Sequence, residues 1–293
     1  MKKLIFRGAA TALVTPMNED RSINLSKIKE VAENQINAGI NALVVNGTTG
    51  EASTLSSDEQ AKTIAAVCES ANGRVPVIAG AGSNDTERAL YLAKQAEALG
   101  ADALLIVTPY YNKTSQKGLI EHYFYIADRV SLPIIVYNVP GRTGVNIKPE
   151  TYKELSRHKN IVAAKEASGD IASLIRSLDL CGDDLHFYSG NDDQITPFLS
   201  LGGCGVISVL SNLLPKTVAM MCASCFSGDY KKAAALQIEH IGLIDALFSD
   251  VNPVPIKAAM NLCGHAVGPT RMPLSEMNEK LRGKLILELN RFI

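Results

Sequence analysis

Lys165 closes the run NIVAAKEAS, and a long cationic side chain ending an otherwise apolar stretch is the residue best able to do chemistry in this chain. A strand that is apolar at consecutive positions is buried on both faces, so a lysine within it loses solvation and its neutral amine is favoured. At an ordinary pKa of about 10.4, roughly one amine in a few thousand is unprotonated at neutral pH. Burial is therefore what makes the amine a nucleophile able to form a Schiff base with a carbonyl compound. The plainer fate of such a lysine is to snorkel to solvent or to pair with the adjacent Glu166. The residues at the other strand ends favour the chemical fate.

The segment YNVPGRTG puts the phenol of Tyr137 at a strand end and Arg142 on the loop beyond it. Lys165 belongs to the next strand, and neighbouring strands lie about 4.8 Å apart, so phenol and amine can meet and the phenol can shuttle protons for a carbinolamine. The fork of donors on Arg142 fits a substrate carboxylate. In NGTTGE, Gly47 and Gly50 allow a tight turn, while the amides and hydroxyls of Thr48 and Thr49 offer donors to a small carboxylate. TPYY places Tyr110 and Tyr111 on a third loop as a pair of aromatics suited to an interface. YSGNDD gives Gly190 and Asp192 to the same rim, and Ile207 ends the last strand. Neither of the last two strand-following loops is rich enough in glycine for a phosphate site, so a phosphorylated substrate is not expected.

These residues share one face only if the strands run parallel. Short β-branched runs alternate with amphipathic stretches eight times: GAATALVTP, NALVVNG, VPVIAG, ADALLIVTP, LPIIVYN, NIVAAKEAS, LHFYSG and GVISVLS. Helices are expected near Leu25 to Ala38, Ser57 to Asn72, Asp85 to Leu99, Gln116 to Arg129, Pro149 to His158, Ile171 to Leu180 and Gln194 to Leu201, with another opening near Pro215. Ser57 with Gln60 resembles a capping box, and Gly39, Gly73 and Gly100 fall where helices should stop. Eight βα units predict a (β/α)8 TIM barrel, whose strand carboxyl ends form a single face. We expect the barrel and its catalytic site over residues 1–228 and a helical extension over 229–293. The extension reads as helices near Tyr230 to Leu247, Pro255 to Leu262 and Ser275 to Leu289.

With 293 residues, 46% of them apolar, the chain can bury a large core. Twenty-nine basic and 30 acidic residues nearly cancel, and no basic run is longer than the short start at Lys2 and Lys3, so neither nucleic acid nor a membrane surface is an expected partner. No apolar stretch approaches the about 20 residues of a membrane span, and no signal-peptide cleavage site is evident, which predicts a cytoplasmic protein. The scattered cysteines, including the Cys222/Cys225 pair, read as reduced core residues, and the five histidines lack ligand spacing, so no metal is expected.

NGTTGE, TPYYNK, YNVPGRTG and AAKEASGD, in this order and spacing, resemble the pyruvate-dependent class I aldolase superfamily over the whole chain, and within it the dihydrodipicolinate synthases. That resemblance implies a pyruvate imine on Lys165 with no separate cofactor, and a carboxylate held by Thr48 and Thr49. Tyr137 would relay protons with Thr48 and with Tyr111 of a neighbouring subunit, and Arg142 would hold L-aspartate 4-semialdehyde. Gly190 and Ile207 would complete the substrate site. The implied product is 4-hydroxy-tetrahydrodipicolinate, on the way to diaminopimelate and lysine, and the implied assembly is a homotetramer, a dimer of dimers.

Sugar-acid aldolases and N-acetylneuraminate lyases of the superfamily are the alternative. The lyases typically have serine at the position of Thr48 and no arginine at that of Arg142, so both residues favour the synthase. A non-catalytic ketoacid-binding barrel is the remaining alternative. One departure concerns regulation. Lysine-inhibited bacterial synthases usually offer an acidic residue and a histidine in an interface pocket, whereas the matching positions here are Arg88 and Gln60, near Ser57. Lysine inhibition is expected to be weak or absent.

Overall fold

The eight apolar runs form eight parallel strands, and the computed structural model describes residues 2–292. The strands are β1 (Gly8–Ala12), β2 (Ala42–Val45), β3 (Val77–Gly80), β4 (Ala103–Val107), β5 (Ile134–Asn138), β6 (Ile161–Glu166), β7 (His186–Ser189) and β8 (Gly205–Ser208). Each pairs with its successor and β8 pairs back with β1, so the sheet closes as a (β/α)8 TIM barrel. Closure leaves no exposed edge and brings all eight carboxyl-terminal strand ends to one rim.

Alternation along each strand divides the apolar residues between two cores. Val44, Leu105, Ile135, Ala163 and Ile207 fill the barrel, with Phe6 stacked on Tyr188 at 4.2 Å. Leu43, Leu104, Ile106, Val136 and Ala164 face outward and pack against the surrounding helices. Buried on both faces, these strands are short continuous apolar runs, as parallel strands generally are. The period of two also separates neighbours: Lys165 shares the inner side of Ala163, while Glu166 shares the outer side of Ala164.

The structure shifts several local expectations. The helix over Ser57–Ala71 is capped by Ser56, whose side chain pairs reciprocally with Glu59, so the capping box sits one residue before Ser57 and Gln60. Gln60 instead turns inward and donates to the Ala52 carbonyl. The last helix starts at Glu279, where Asn278 caps it, rather than at Ser275. YNVPGRTG is not a plain loop: Pro140–Thr143 makes one helical turn, opened by proline and closed by Gly144 at φ 70°. Beyond the barrel, helices over Tyr230–Leu247, Val254–Leu262 and Glu279–Leu289 fold back against it. No helix among the described residues is long and apolar enough to cross a membrane.

Candidate active site

Lys165 and Tyr137 are direct neighbours in register across β5 and β6. The Lys165 Nζ lies 4.4 Å from the centroid of the Tyr137 ring, and the two side chains are only 6% and 8% exposed. Lys165 is not paired with Glu166. The Glu166 carboxylate points into the outer layer, where it accepts from Tyr152 Oη at 2.6 Å, from Asn138 Nδ2 at 3.0 Å and from the Ser168 N–H at 2.7 Å. Lys165 has no ion-pair partner among the described residues. Burial lowers its pKa to about 8, with the Arg142 charge pushing the same way and Asp192 opposing. Burial raises the pKa of the Tyr137 phenol, an effect that Arg142 and the polar Thr48 side chain partly offset. A neutral amine beside a protonated phenol is the pairing needed to add to a carbonyl and protonate the resulting oxygen.

A cavity of about 190 Å³ opens at this point, lined by Lys165, Tyr137, Thr48, Thr49, Arg142 and Gly190 among others. The NGTTGE segment wraps its wall. The segment doubles back through hydrogen bonds from the Gly50 N–H to the Gly47 carbonyl and from the Glu51 N–H to the Thr48 carbonyl. The N–H groups of Thr48 and Thr49 have no acceptor among the described residues, so they offer donors to an anion, as the sequence suggests. Arg142 is held by its one-turn helix, and its guanidinium has no carboxylate partner among the described residues. Gly190 is required for space: a Cβ there would sit 3.0 Å from Lys165 Cε and 2.6 Å from the Ala167 methyl.

Six of the eight residues singled out in the sequence therefore line one cavity. Ile207 is a packing residue of the barrel interior and does not line it. Tyr111 is 90% exposed, at φ 72°, and stands outside the cavity of its own chain. Tyr110 instead lines an adjoining cleft of about 430 Å³ with Arg88 and Gln60, whose shared wall with the first cavity includes Thr48, Tyr137 and Arg142. Asp192 is not a rim residue. It is buried beneath the site, and its Oδ2 accepts from the Val209 and Leu210 N–H groups at 2.9 Å, against a burial that raises its pKa.

Reasoning from the strands missed the residues that the extension contributes. Phe248 and Asn252 line the cavity, and Asn252 Nδ2 donates to Thr49 Oγ1 at 2.9 Å. Lys257, 2% exposed, reaches Glu51 Oε1 at 2.9 Å and the Thr15 carbonyl at 3.1 Å. The run VPIKAAM carries the same signal as the run that holds Lys165, a lysine in an apolar stretch. Nothing in VNPVP marks Asn252.

The arrangement matches known proteins along its length. A family model described as the dihydrodipicolinate synthetase family matches residues 5–291. The 4-hydroxy-tetrahydrodipicolinate synthase 1 of Clostridium acetobutylicum is 51% identical over 276 residues, 94% of each chain. The crystal structure of the dihydrodipicolinate synthase of Thermotoga maritima superposes with a TM-score of 0.96 at 44% identity, over 98% of this chain and 99% of that one. That of the Cyanidioschyzon merolae enzyme with lysine bound gives a TM-score of 0.95 at 38% identity, over 98% of both chains. Matched over nearly its whole length and built around a buried lysine and a tyrosine in register, the chain belongs to the dihydrodipicolinate synthetase family.

Proposed function

We propose that this chain condenses pyruvate with L-aspartate 4-semialdehyde to 4-hydroxy-tetrahydrodipicolinate, a lyase of diaminopimelate and lysine biosynthesis, working in the cytoplasm through an imine on Lys165. The observation that carries the mechanism is a buried Lys165 amine without an anionic partner, set against the Tyr137 phenol at the wall of a small cavity. The neutral Lys165 amine attacks the keto carbon of pyruvate, and the phenol supplies the proton that lets the carbinolamine hydroxyl leave as water, which gives the imine. The pyruvate carboxylate lies against the Thr48 and Thr49 donors. Loss of a methyl proton gives an enamine, whose carbon attacks the aldehyde. Arg142, charged and unpaired at the cavity wall, holds the carboxylate of the semialdehyde. The amine of that substrate then displaces Lys165, which closes the ring and frees the enzyme.

Residues 1–228 would supply the reacting groups and 229–293 the strap behind them. The exposed Tyr111 serves a second copy, which makes a dimer the smallest complete unit and a dimer of dimers the expected assembly. The reading is tested by mixing protein with both substrates and following NADPH loss through added dihydrodipicolinate reductase, with Lys165→Ala as control. Turnover that vanishes in the control supports it. Turnover in the control, or none from folded wild-type protein, overturns it. Replacing Arg142 should damage use of the carboxylate-bearing aldehyde far more than borohydride trapping of pyruvate, and equal damage to both would remove its assigned role.

A further inference from the structure

We propose that Asn252, carried by the carboxyl-terminal extension, is a positioning residue that turns the Thr49 hydroxyl toward the pyruvate carboxylate. The inference rests on the proposed reaction and adds a residue to its carboxylate site.

A threonine hydroxyl has one hydrogen to give and two lone pairs to receive. Asn252 Nδ2 donates to Thr49 Oγ1 at 2.9 Å, with the two residues 6% and 3% exposed. That bond fills a lone pair and leaves the hydroxyl hydrogen aimed elsewhere. Thr49 Oγ1 donates to no acceptor among the described residues, so its hydrogen is available to an anion in the cavity that both residues line. The Asn252 Oδ1 is itself buried without a partner among the described residues, so the amide makes its side-chain bond through Nδ2 alone.

Both ends of the bond are tied down. Asn252 lies just before the helix over Val254–Leu262, and Lys257 of that helix reaches back to Glu51, two residues beyond Thr49. The Arg271 N–H holds the other carboxylate oxygen of Glu51 at 2.8 Å. The extension therefore grips the carboxylate loop at two points and sets the hydroxyl rotor at one of them. The opposite polarity would consume the Thr49 hydrogen: an acceptor-only side chain of the same shape would take it and withdraw it from the ligand.

The test is borohydride trapping of the imine on Lys165, titrated against pyruvate, in wild type, Asn252→Ala, Asn252→Asp, Thr49→Val and Asn252→Ala/Thr49→Val. Aldehyde KM, kcat and thermal midpoint are measured alongside. The pyruvate concentration for half-maximal trapping should rise about tenfold in Asn252→Ala, the worth of one hydrogen bond. It should rise at least as much in Asn252→Asp, while aldehyde KM and kcat move less than about twofold. The double variant should match Thr49→Val alone, because Asn252 acts through that hydroxyl. A milder effect for the isosteric Asp than for Ala, additive effects in the double variant, or equal shifts in both KM values would each overturn the proposal in favour of packing. Wild-type trapping with unchanged titration in the folded Asp variant sinks this inference and leaves the reaction standing. No trapping in wild type removes both.

Discussion

Two lysines in this chain sit in apolar runs, and the sequence treats them alike; their partners separate them. Lys257 is met by Glu51 and two carbonyls, so its charge is compensated and its role is structural. Lys165 meets a phenol ring and a cavity with no direct anionic partner, so burial, only partly opposed by Asp192, lowers its pKa to about 8. Lys165 was thus legible as a candidate nucleophile, and its lack of an anion was not, because the period of two that turns Glu166 outward depends on strand register. The lowered pKa makes roughly one amine in ten neutral at pH 7. Single-turnover imine trapping with saturating pyruvate should accordingly rise about tenfold per pH unit on the acid side and flatten above about 8. The neighbouring charges fix the direction of two shifts. Arg142→Met removes a cation that lowers the Lys165 pKa, so the profile moves to higher pH, and Asp192→Asn moves it lower. A profile unmoved by Arg142→Met would dissociate that guanidinium from the amine. On stability the sign is also set: because the folded pKa lies below the unfolded 10.5, the unfolded chain holds the extra proton between about pH 8 and 10.5, and this lysine's contribution grows as pH rises through that window.

The strands and their order were readable because buried parallel strands are continuous apolar runs, whereas the devices between them follow from contacts distant in sequence. The turn of helix that holds Arg142 is four residues long and leaves no periodicity to detect. The Ser56 cap was displaced by one residue because Gln60, the residue expected to close the box, is drawn inward to the Ala52 carbonyl. The hold of the extension on the β2 loop was invisible for the same reason, with Asn252 and Lys257 about 200 residues from their partners. Two predictions belong to these elements. Gly190→Ala places a methyl 3.0 Å from Lys165 Cε and 2.6 Å from the Ala167 methyl, so imine trapping in the folded variant should fall more than tenfold and overpacking should lower stability in urea by about 1–3 kcal/mol. Trapping at the wild-type rate would show that the lysine stem has room to move. Lys257→Met strands the Glu51 carboxylate, which is fully buried, and should destabilise the fold by about 3–5 kcal/mol in urea unfolding. Adding Glu51→Gln should recover part of the loss, and a purely additive double variant would deny the coupling.

For the whole molecule, the decisive surface is the one holding Tyr111 and the cleft behind it. Tyr111 is 90% exposed and does not enter the candidate cavity, so under the proposed reading it serves another copy and a single chain completes only part of the relay. Specific activity should therefore fall on dilution past the dimer dissociation point, and Tyr111→Phe should slow turnover without that dilution dependence changing. The adjoining cleft of about 430 Å³ shares Thr48, Tyr137 and Arg142 with the candidate cavity, so an occupant there would touch the groups to which the proposed reaction gives roles. A related structure carries lysine, but here the cleft presents the Arg88 guanidinium, bonded to Ser57 Oγ and set over the Tyr91 ring at 5.5 Å, together with Gln60, whose amide is already spent on the Ala52 and Leu55 carbonyls. A lysine ammonium entering it meets a like charge and finds no carboxylate among the lining residues, so its carboxylate alone has a partner. Turnover should persist at millimolar L-lysine. Introducing an acid with Arg88→Glu should let the ammonium bind and bring inhibition into that range, whereas clear inhibition of the wild type at sub-millimolar lysine would count decisively against this reading of the cleft.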